Sequence, residues 1–329
     1  TALPLSLSVK TNDLHFKTDG SVRRPLDSQT FDLRYELVGK DIERLSSLTD
    51  FAIPLRGEFR TKGRVKGRGD QITLQDELRV GSSHFEADLS LSLAGTRPKL
   101  RGSVIARQIH ADDVDIFDAD KQEAAASSER VIPDYTLPVE ALFGIDLDLL
   151  IKANGVKTPT GSIGNLTSSI RLSDGRFASS LTVAEDHGVR INTEFSVDAK
   201  ANPPPVKVRI KAQGIDFGYL TDALGTSGLV QGQGEVDVAV DGTGVTRYGI
   251  LGNASGRITV IGGPGQIASR NVDLWAADLI PTMLSTSWRR EDVTETNCMV
   301  AHIELKNGVA ELENLLLDTR RMTVGGSGT

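Results

Sequence analysis

The sequence lacks the residues and motifs from which most catalytic and metal sites are built. Its 329 residues include one cysteine, Cys298, which excludes an internal disulfide framework. The five histidines are scattered, with neither HxH nor HExxH spacing, so a zinc site is not predicted. No serine stands in a GxSxG elbow, and no pair of carboxylates stands apart from the surface charge. We therefore predict that the protein is not an enzyme and binds neither a metal nor a cofactor.

Three further shortages narrow the possible functions. No apolar run reaches the roughly 18 residues that a membrane-spanning helix needs. The formal net charge of −7 argues against a nucleic-acid partner, because nucleic-acid-binding proteins normally carry a basic surface. Aromatic residues make up only 5% of the chain, so its apolar positions are filled mainly by Leu, Val, Ile and Ala. This composition suits either a thin aliphatic core or a surface for flexible alkyl chains.

What the sequence does contain is a strict alternation of apolar and polar residues. A period of two places every second side chain on the same face of a strand, which gives the strand one dry and one wet face. The chain also has 33 glycines and frequent Asp-Gly and Asn-Gly pairs, which are typical of tight turns between strands. The alternating runs include Leu3, Leu5, Leu7 and Val9; Phe31, Leu33, Tyr35 and Leu37; Phe177, Leu181 and Val183; Val189, Ile191, Phe195 and Val197; Val206, Val208 and Ile210; Val236, Val238 and Val240.

One strand carries an unusual run of basic residues on its polar parity. We interpret this run as the wet face of the strand, and the alternative is a contact for anionic headgroups or for a protein. The basic residues are Arg60, Lys62, Arg64, Lys66 and Arg68.

The chain is predicted to be organised as repeated strand groups. Three segments follow an extended strand with a short amphipathic stretch, at residues 35–48, 103–117 and 208–224, and each is predicted to close a strand group with a short helix. Two glycine-rich stretches, 228–236 and 261–267, carry no phosphate-binding signature, and we interpret them as turns between strands.

A polar, Ala/Ser-rich stretch divides the predicted strand groups. Residues 119–138 have no hydrophobic period and are predicted to form a linker or loop. Residues 1–118 are then the first strand group, with short helices, and residues 139–329 are the second. We expect the two groups to form one continuous sheet that is truncated at both ends of this chain.

The width of the predicted sheet raises the question of what covers its dry face. Ten or so strands spaced about 4.8 Å apart give a sheet roughly 48 Å wide, whereas one helix is only about 10 to 12 Å across. Leaving about twenty apolar side chains in water would forfeit more than the roughly 5 to 15 kcal/mol by which a domain is stable. The sheet is therefore expected to curl on itself, to pack on another sheet, or to receive apolar ligands.

The last hundred residues resemble the C-terminal region of the AsmA family of bacterial envelope proteins, and the upstream strand groups are similar to that family's repeats. The motifs that carry the resemblance are the glycine-spaced run from Gly232 to Gly244, the short helix and return from Leu251 to Gly256, the pair Asn297-Cys298, the turn from Lys306 to Val309, the run from Leu317 to Thr319, and the glycine-rich stretch that follows Val324.

This resemblance implies a fold and a function. It implies a mainly β fold: a large curled antiparallel sheet, built of repeated strand groups and forming an elongated apolar groove, with a few short helices. It also implies a periplasmic protein of Gram-negative bacteria, held at the inner membrane by an anchor that this chain lacks. Such a protein would be similar to bridge-type lipid transporters, which shelter phospholipid acyl chains between the two membranes and support outer-membrane homeostasis. A partner at the outer membrane is possible, and no nucleic acid is expected.

Seven residues on the apolar parity are our candidates for the lining of that groove. The alternative function is a non-enzymatic assembly factor with a closed β core, which would affect outer-membrane protein insertion through partner contacts. The candidate lining residues are Phe195, Val197, Val208, Ile210, Val236, Val238 and Val240.

Overall fold

The structure is a computed structural model, and β-strands dominate it. The complete helices within the described ranges are two 3₁₀ turns, Ala111–Asp113 and Val139–Phe143, and a short helix α1, Arg247–Leu251. The predicted mainly β fold with few helices is confirmed. Among the described helices, none has the length and apolar character needed to cross a bilayer. The residues described are 2–23, 30–43, 55–114, 136–158, 161–184, 188–218, 230–268, 293–320 and 322–329.

The chain divides into two compact units. The first comprises Thr1–Glu185 with Ser196–Pro204, and the second comprises Asp186–Phe195 with Pro205–Thr329. In the first unit, β1 to β7 pair antiparallel in chain order, and β8, β11 and β12 follow as the pairs β8–β11 and β11–β12. Its strands are β1 (Ala2–Lys10), β2 (Leu14–Arg23), β3 (Thr30–Gly39), β4 (Phe59–Arg68), β5 (Gln71–Val80), β6 (Ser83–Ser92), β7 (Lys99–His110), β8 (Asp146–Ala153), β9 (Val156–Thr158), β10 (Gly161–Ile163), β11 (Asn165–Ser173) and β12 (Arg176–Ala184).

One step in the first unit departs from the predicted antiparallel order. β7 and β8 run parallel, with Lys99 opposite Asp146, and β9 lies parallel to the end of β7. Parallel neighbours need a crossover connection of a dozen or more residues, and residues 111–145 supply one between β7 and β8. The sheet is therefore mixed at this step.

The second unit is an antiparallel run in chain order. β14 pairs with β15, and each later strand pairs with the one before it up to β19. The turn between β17 and β18 is formed by Asn307 and Gly308, which both have positive φ, +50° and +80°, as a tight hairpin turn requires. The strands are β13 (Arg190–Asp198), which contributes residues to both units, β14 (Pro205–Asp216), β15 (Val230–Thr243), β16 (Ser255–Ala268), β17 (Val293–Lys306), β18 (Val309–Thr319) and β19 (Thr323–Gly328).

The register keeps the apolar parity of neighbouring strands on one face. In the first unit, Leu33 of β3 lies opposite Gly20 of β2 and Val65 of β4, and Val65 lies opposite Leu74 of β5. Because side chains alternate along each strand, one aligned pair fixes the face of every other residue in both strands. The predicted dry face is thus continuous over these four strands.

Dry clusters close the apolar face at the strand ends. After β3, the carboxylate of Asp41 accepts a hydrogen bond from the backbone N–H of Glu43, 3.0 Å away, and this turn directs Ile42 inward. Ile42 is 3% exposed and packs with Phe59 and Val80. The predicted short segment at residues 35–48 is described only as far as residue 43.

The second unit repeats this arrangement after β14. Asp216 accepts a hydrogen bond from the backbone N–H of Gly218, 2.8 Å away, and the intervening Phe217 is buried. The same Asp-apolar order therefore follows a strand in each unit. The ring of Phe217 occupies the space that a side chain at Gly234 would need, and it also contacts the space beside Gly262.

The two glycine-rich stretches are not turns, and that interpretation was wrong. Residues 230–236 belong to β15 and residues 261–267 to β16, where the two strands pair. Gly232 has a φ of +130° and lies at a register shift between these strands. A side chain at Gly232 would meet the backbone of Pro264 and Gly265, and one at Gly234 would meet the Phe217 ring, so both positions require glycine. The sequence alone does not distinguish such close approaches from turns.

Some predicted elements lie outside the described residues. The linker predicted at 119–138 is described only for residues 136–138. The segments predicted at 103–117 and 208–224 are described as far as residues 114 and 218.

We expect Ile42→Ala to destabilise the protein by about 2 to 5 kcal/mol, because it removes buried methyl groups and leaves a cavity against Phe59 and Val80. Urea unfolding followed by circular dichroism measures this change. The matched control is Leu3→Ala on β1, whose side chain is 64% exposed and whose truncation should change stability by less than about 0.5 kcal/mol. Equal losses in the two variants would contradict a dry cluster at Ile42.

Candidate functional site

The candidate site in the second unit is the apolar face of β14 and β15. Val208 lies opposite Val240, and Ile210 lies opposite Val238, so these four predicted residues share one face of the two strands. Val236, also predicted, lies on the same face opposite Ala212. The structure therefore brings five of the seven predicted lining residues together.

The remaining two predicted residues lie on β13. Phe195 and Val197 are two positions apart and thus share a face of that strand. Phe195 is half-buried, whereas Val197 is only 4% exposed.

The apolar face continues across the second unit as a row of aliphatic side chains. The row crosses five adjacent strands, β14 to β18, and every member is half-buried. Its members are Ile210, Val238, Ile258, Ile303 and Leu312. Because they alternate with polar residues, these side chains form one strip of apolar surface about five strands wide.

Burial is uneven along β14. Val206 and Ala212, towards its two ends, are 3% and 5% exposed, whereas Val208 and Ile210 between them are only half-buried. The apolar face is thus closed towards both ends of this strand and more open in its middle. An open aliphatic strip with closed ends can hold an apolar ligand through apolar contacts alone, without hydrogen bonds or covalent bonds.

The first unit has a polar cluster on its apolar face that the sequence interpretation missed. Asp76 of β5 occupies the same parity as Leu74 and Leu78, yet it is a carboxylate. Its Oδ1 accepts hydrogen bonds from the hydroxyls of Tyr35 and Thr61, each 2.6 Å away. A charged residue on an apolar parity was the signal that could have identified it.

The cluster perturbs its tyrosine. Burial, followed by the hydrogen bond to Asp76, raises the pKa of Tyr35 well above its ordinary value of 10.0. Tyr35 therefore keeps its proton and remains a hydrogen-bond donor over the whole physiological range.

The opposite face of the first unit is a ladder of ion pairs. Three basic residues of β4 pair with acidic residues of the neighbouring strands β3 and β5, and Lys62 Nζ is 2.8 Å from Glu77. Arg64 holds Asp32 with two bonds, Nε to Oδ1 at 2.6 Å and Nη2 to Oδ2 at 2.5 Å. Arg60 pairs with Glu36. The basic run is thus a wet strand face that neighbouring carboxylates largely neutralise.

An open depression of about 680 Å³ lies on this charged face. It is lined by both signs of charge, among them Lys17, Arg34, Glu36 and Glu77. Across the described part of the chain, no group of three or more His, Cys, Asp or Glu side chains is placed to hold a metal ion.

The chain is similar in sequence to known proteins. The sequence model of the AsmA family matches residues 5–315. The AsmA family protein YhjG of Escherichia coli (strain K12) is 22% identical over 352 aligned positions, which cover all of this chain and 51% of that protein. The chain therefore spans about half the length of this curated relative. No solved structure matches the chain.

We expect Asp32→Asn to flatten the acid sensitivity of stability. Arg64 holds the pKa of the Asp32 carboxyl below its ordinary 3.8 in the folded protein. The pair thus adds stability above that value, and this stability is lost as pH falls through the lowered pKa. Between about pH 5 and about pH 3, the melting temperature of the variant should fall less than that of the parent.

Thermal unfolding across this pH range measures the effect. The control is Asp70→Asn, at an exposed turn residue, which should follow the parent curve. An unchanged pH dependence in Asp32→Asn would show that the Arg64–Asp32 pair adds nothing to folding.

Proposed function

This chain belongs to the AsmA family, and on that premise we propose that it is a segment of a conduit for phospholipid acyl chains. The segment shelters these chains between the inner and outer membranes of a Gram-negative envelope and supports outer-membrane homeostasis. It acts without catalysis, and it requires no cofactor. Family membership by itself supports an envelope-related role.

The observation that carries the proposal is the half-buried aliphatic row from Ile210 to Leu312. Burying one such side chain fully is worth about 1.5 to 3 kcal/mol, and a half-exposed side chain realises only part of that gain. An acyl chain lying on the row would supply the missing contact, at about 0.8 kcal/mol for each methylene it buries. The row offers contact area and no directional bond, so binding should depend on chain length more than on headgroup.

The charged faces support the same orientation. In the second unit, Arg209 and Asp241 form an ion pair of 2.7 Å on the face opposite Val208 and Val240. Charges on that face keep it in water, which leaves the aliphatic face as the surface for lipid. Headgroups would remain in water at an open edge of the sheet.

The cellular setting is part of the proposal. We place the segment in the periplasm, in a protein attached to the inner membrane and with a partner at the outer membrane.

We expect Val238→Asp to abolish lipid co-purification, because it places a carboxylate within the aliphatic row. Val208→Asp, one strand away, should act in the same way. Mass spectrometry of organic extracts from mildly purified protein measures the bound lipid.

The matched control is Ala239→Asp, which adds the same charge one residue further along β15. Ala239 lies on the opposite face between Arg209 and Arg257, which would compensate the new carboxylate. This variant should keep its lipid. Equal lipid in the parent, Val238→Asp and Ala239→Asp would rule out a groove at these positions. If the parent bound neither lipid nor a lipophilic dye, the assembly factor with a closed β core would be favoured.

A further inference from the structure

The polar cluster of the first unit interrupts the apolar face at one level of the strands. Reading across the sheet, Thr18 lies opposite Tyr35, Tyr35 opposite Gly63, Gly63 opposite Asp76, and Asp76 opposite Ala87. The neighbouring levels are apolar apart from Thr61, which lies opposite Leu37 and Leu78. Successive residues on one face are two positions apart, which is about 6.6 Å along the strand. A single polar level therefore lies between two apolar levels.

The geometry leaves one carboxylate oxygen of Asp76 available. Both hydroxyl donors, Tyr35 Oη and Thr61 Oγ1, bond to Oδ1 at 2.6 Å. Among the described residues, no hydrogen bond to Oδ2 is found, and Oδ2 is not one of the fully buried atoms that lack a partner. Oδ2 thus has no hydrogen-bond donor among the described residues, and Asp76 lines an open depression of about 380 Å³.

Gly63 makes room for this arrangement. A Cβ at Gly63 would lie 2.8 Å from Asp76 Oδ1 and 2.8 Å from Tyr35 Oη. The absence of a side chain on β4 at this level lets the hydroxyl of Tyr35 reach across to Asp76 on β5.

Asp76 also carries a charge that the described side chains do not balance. The basic residues of β4 lie on the opposite parity, and Lys62 and Arg64 are paired with Glu77 and Asp32 there. No ion pair to Asp76 is found in the described part of the chain. Two hydroxyls satisfy one oxygen but leave the negative charge in place. Covering this level with a lipid would remove the carboxylate from water, which is costly unless a cation accompanies the lipid.

We propose that Asp76 binds the primary ammonium group of an aminophospholipid, with Tyr35 and Thr61 holding the carboxylate in position. The proposal rests on the proposed function, because the acyl chains would lie on the apolar side chains beside the cluster. A neutral hydroxyl group would leave the charge unbalanced, and a carboxylate or an unaccompanied phosphate would be repelled. The site gives the conduit a position at which amine-bearing lipids bind through their headgroup at the level of Asp76.

The test compares three probes that share one alkyl chain: dodecylamine, dodecanol and dodecanoate. Their affinities for the intact chain are measured at neutral pH by displacement of a lipophilic dye. We expect the parent to bind dodecylamine about tenfold more tightly than dodecanol, the factor that 1.4 kcal/mol of charge pairing gives. Asp76→Asn should bind the amine and the alcohol equally, because the amide keeps the shape and loses the charge.

Two further variants separate binding from folding. Asp88→Asn removes a carboxylate from the opposite face of the adjacent strand β6 and should keep the full preference for the amine. Ala87→Lys places a tethered ammonium opposite Asp76 and should remove the amine preference while dodecanol still binds. This second variant answers the question even if Asp76→Asn fails to fold.

The outcomes are distinct. If the parent binds all three probes equally, or if folded Asp76→Asn or Ala87→Lys keeps the amine preference, the ammonium site is overturned and the acyl conduit is untouched. If the parent binds none of the probes, the acyl conduit itself fails and the ammonium site fails with it. A preference for the amine that both variants lose, and that Asp88→Asn keeps, supports the site.

Discussion

The structure depends on keeping the two faces of neighbouring strands in phase. A register slip of one residue would move every aliphatic side chain of a strand to the charged face and every charge to the aliphatic face. Cross-strand ion pairs oppose such a slip in the first unit, since Lys62 of β4 lies directly opposite Glu77 of β5 and pairs with it. The hydrophobic and the charged faces thus specify the same register, and both disfavour a slip between strands.

That shared register explains why an open apolar strip can coexist with a stable fold. Dry clusters at strand ends, such as those around Ile42 and Phe217, supply full burial where the chain turns. The strand centres, where Val208 and Ile210 lie, are left half-buried. Stability and the candidate binding surface are therefore located in different parts of the same strands, so the surface can stay accessible.

Period-two alternation was sufficient to predict the alternating runs as strands and to assign their faces, and the Asn307-Gly308 pair indicated a tight turn. It was not sufficient for features that depend on which residues meet. The parallel step between β7 and β8 depends on where a long connection returns, which no local pattern encodes. The role of Gly234 was missed because glycine occurs both in turns and where the backbone of a strand is approached closely, and the sequence alone does not separate the two cases.

The polar cluster illustrates the same limit within the candidate site. Asp76 could be recognised as an acidic residue on an apolar parity from β5 alone. Its partners could not, because Tyr35 and Thr61 come from strands 41 and 15 residues away in sequence and meet it only through the register. The alternation of residues predicts which face of a strand each side chain occupies. A cluster built from three strands can be predicted only when the pairing of those strands is also known.

A sheet in which each strand pairs with its neighbours in the chain can change its length by whole hairpins. In the second unit every strand from β15 to β19 pairs with its predecessor, so gaining or losing a hairpin at the end of the run leaves all remaining pairs and both faces intact. Selection can then alter the reach of the sheet in steps of two strands, about 9.6 Å each, without redesigning a core. Length becomes a property that evolution can adjust separately from surface chemistry.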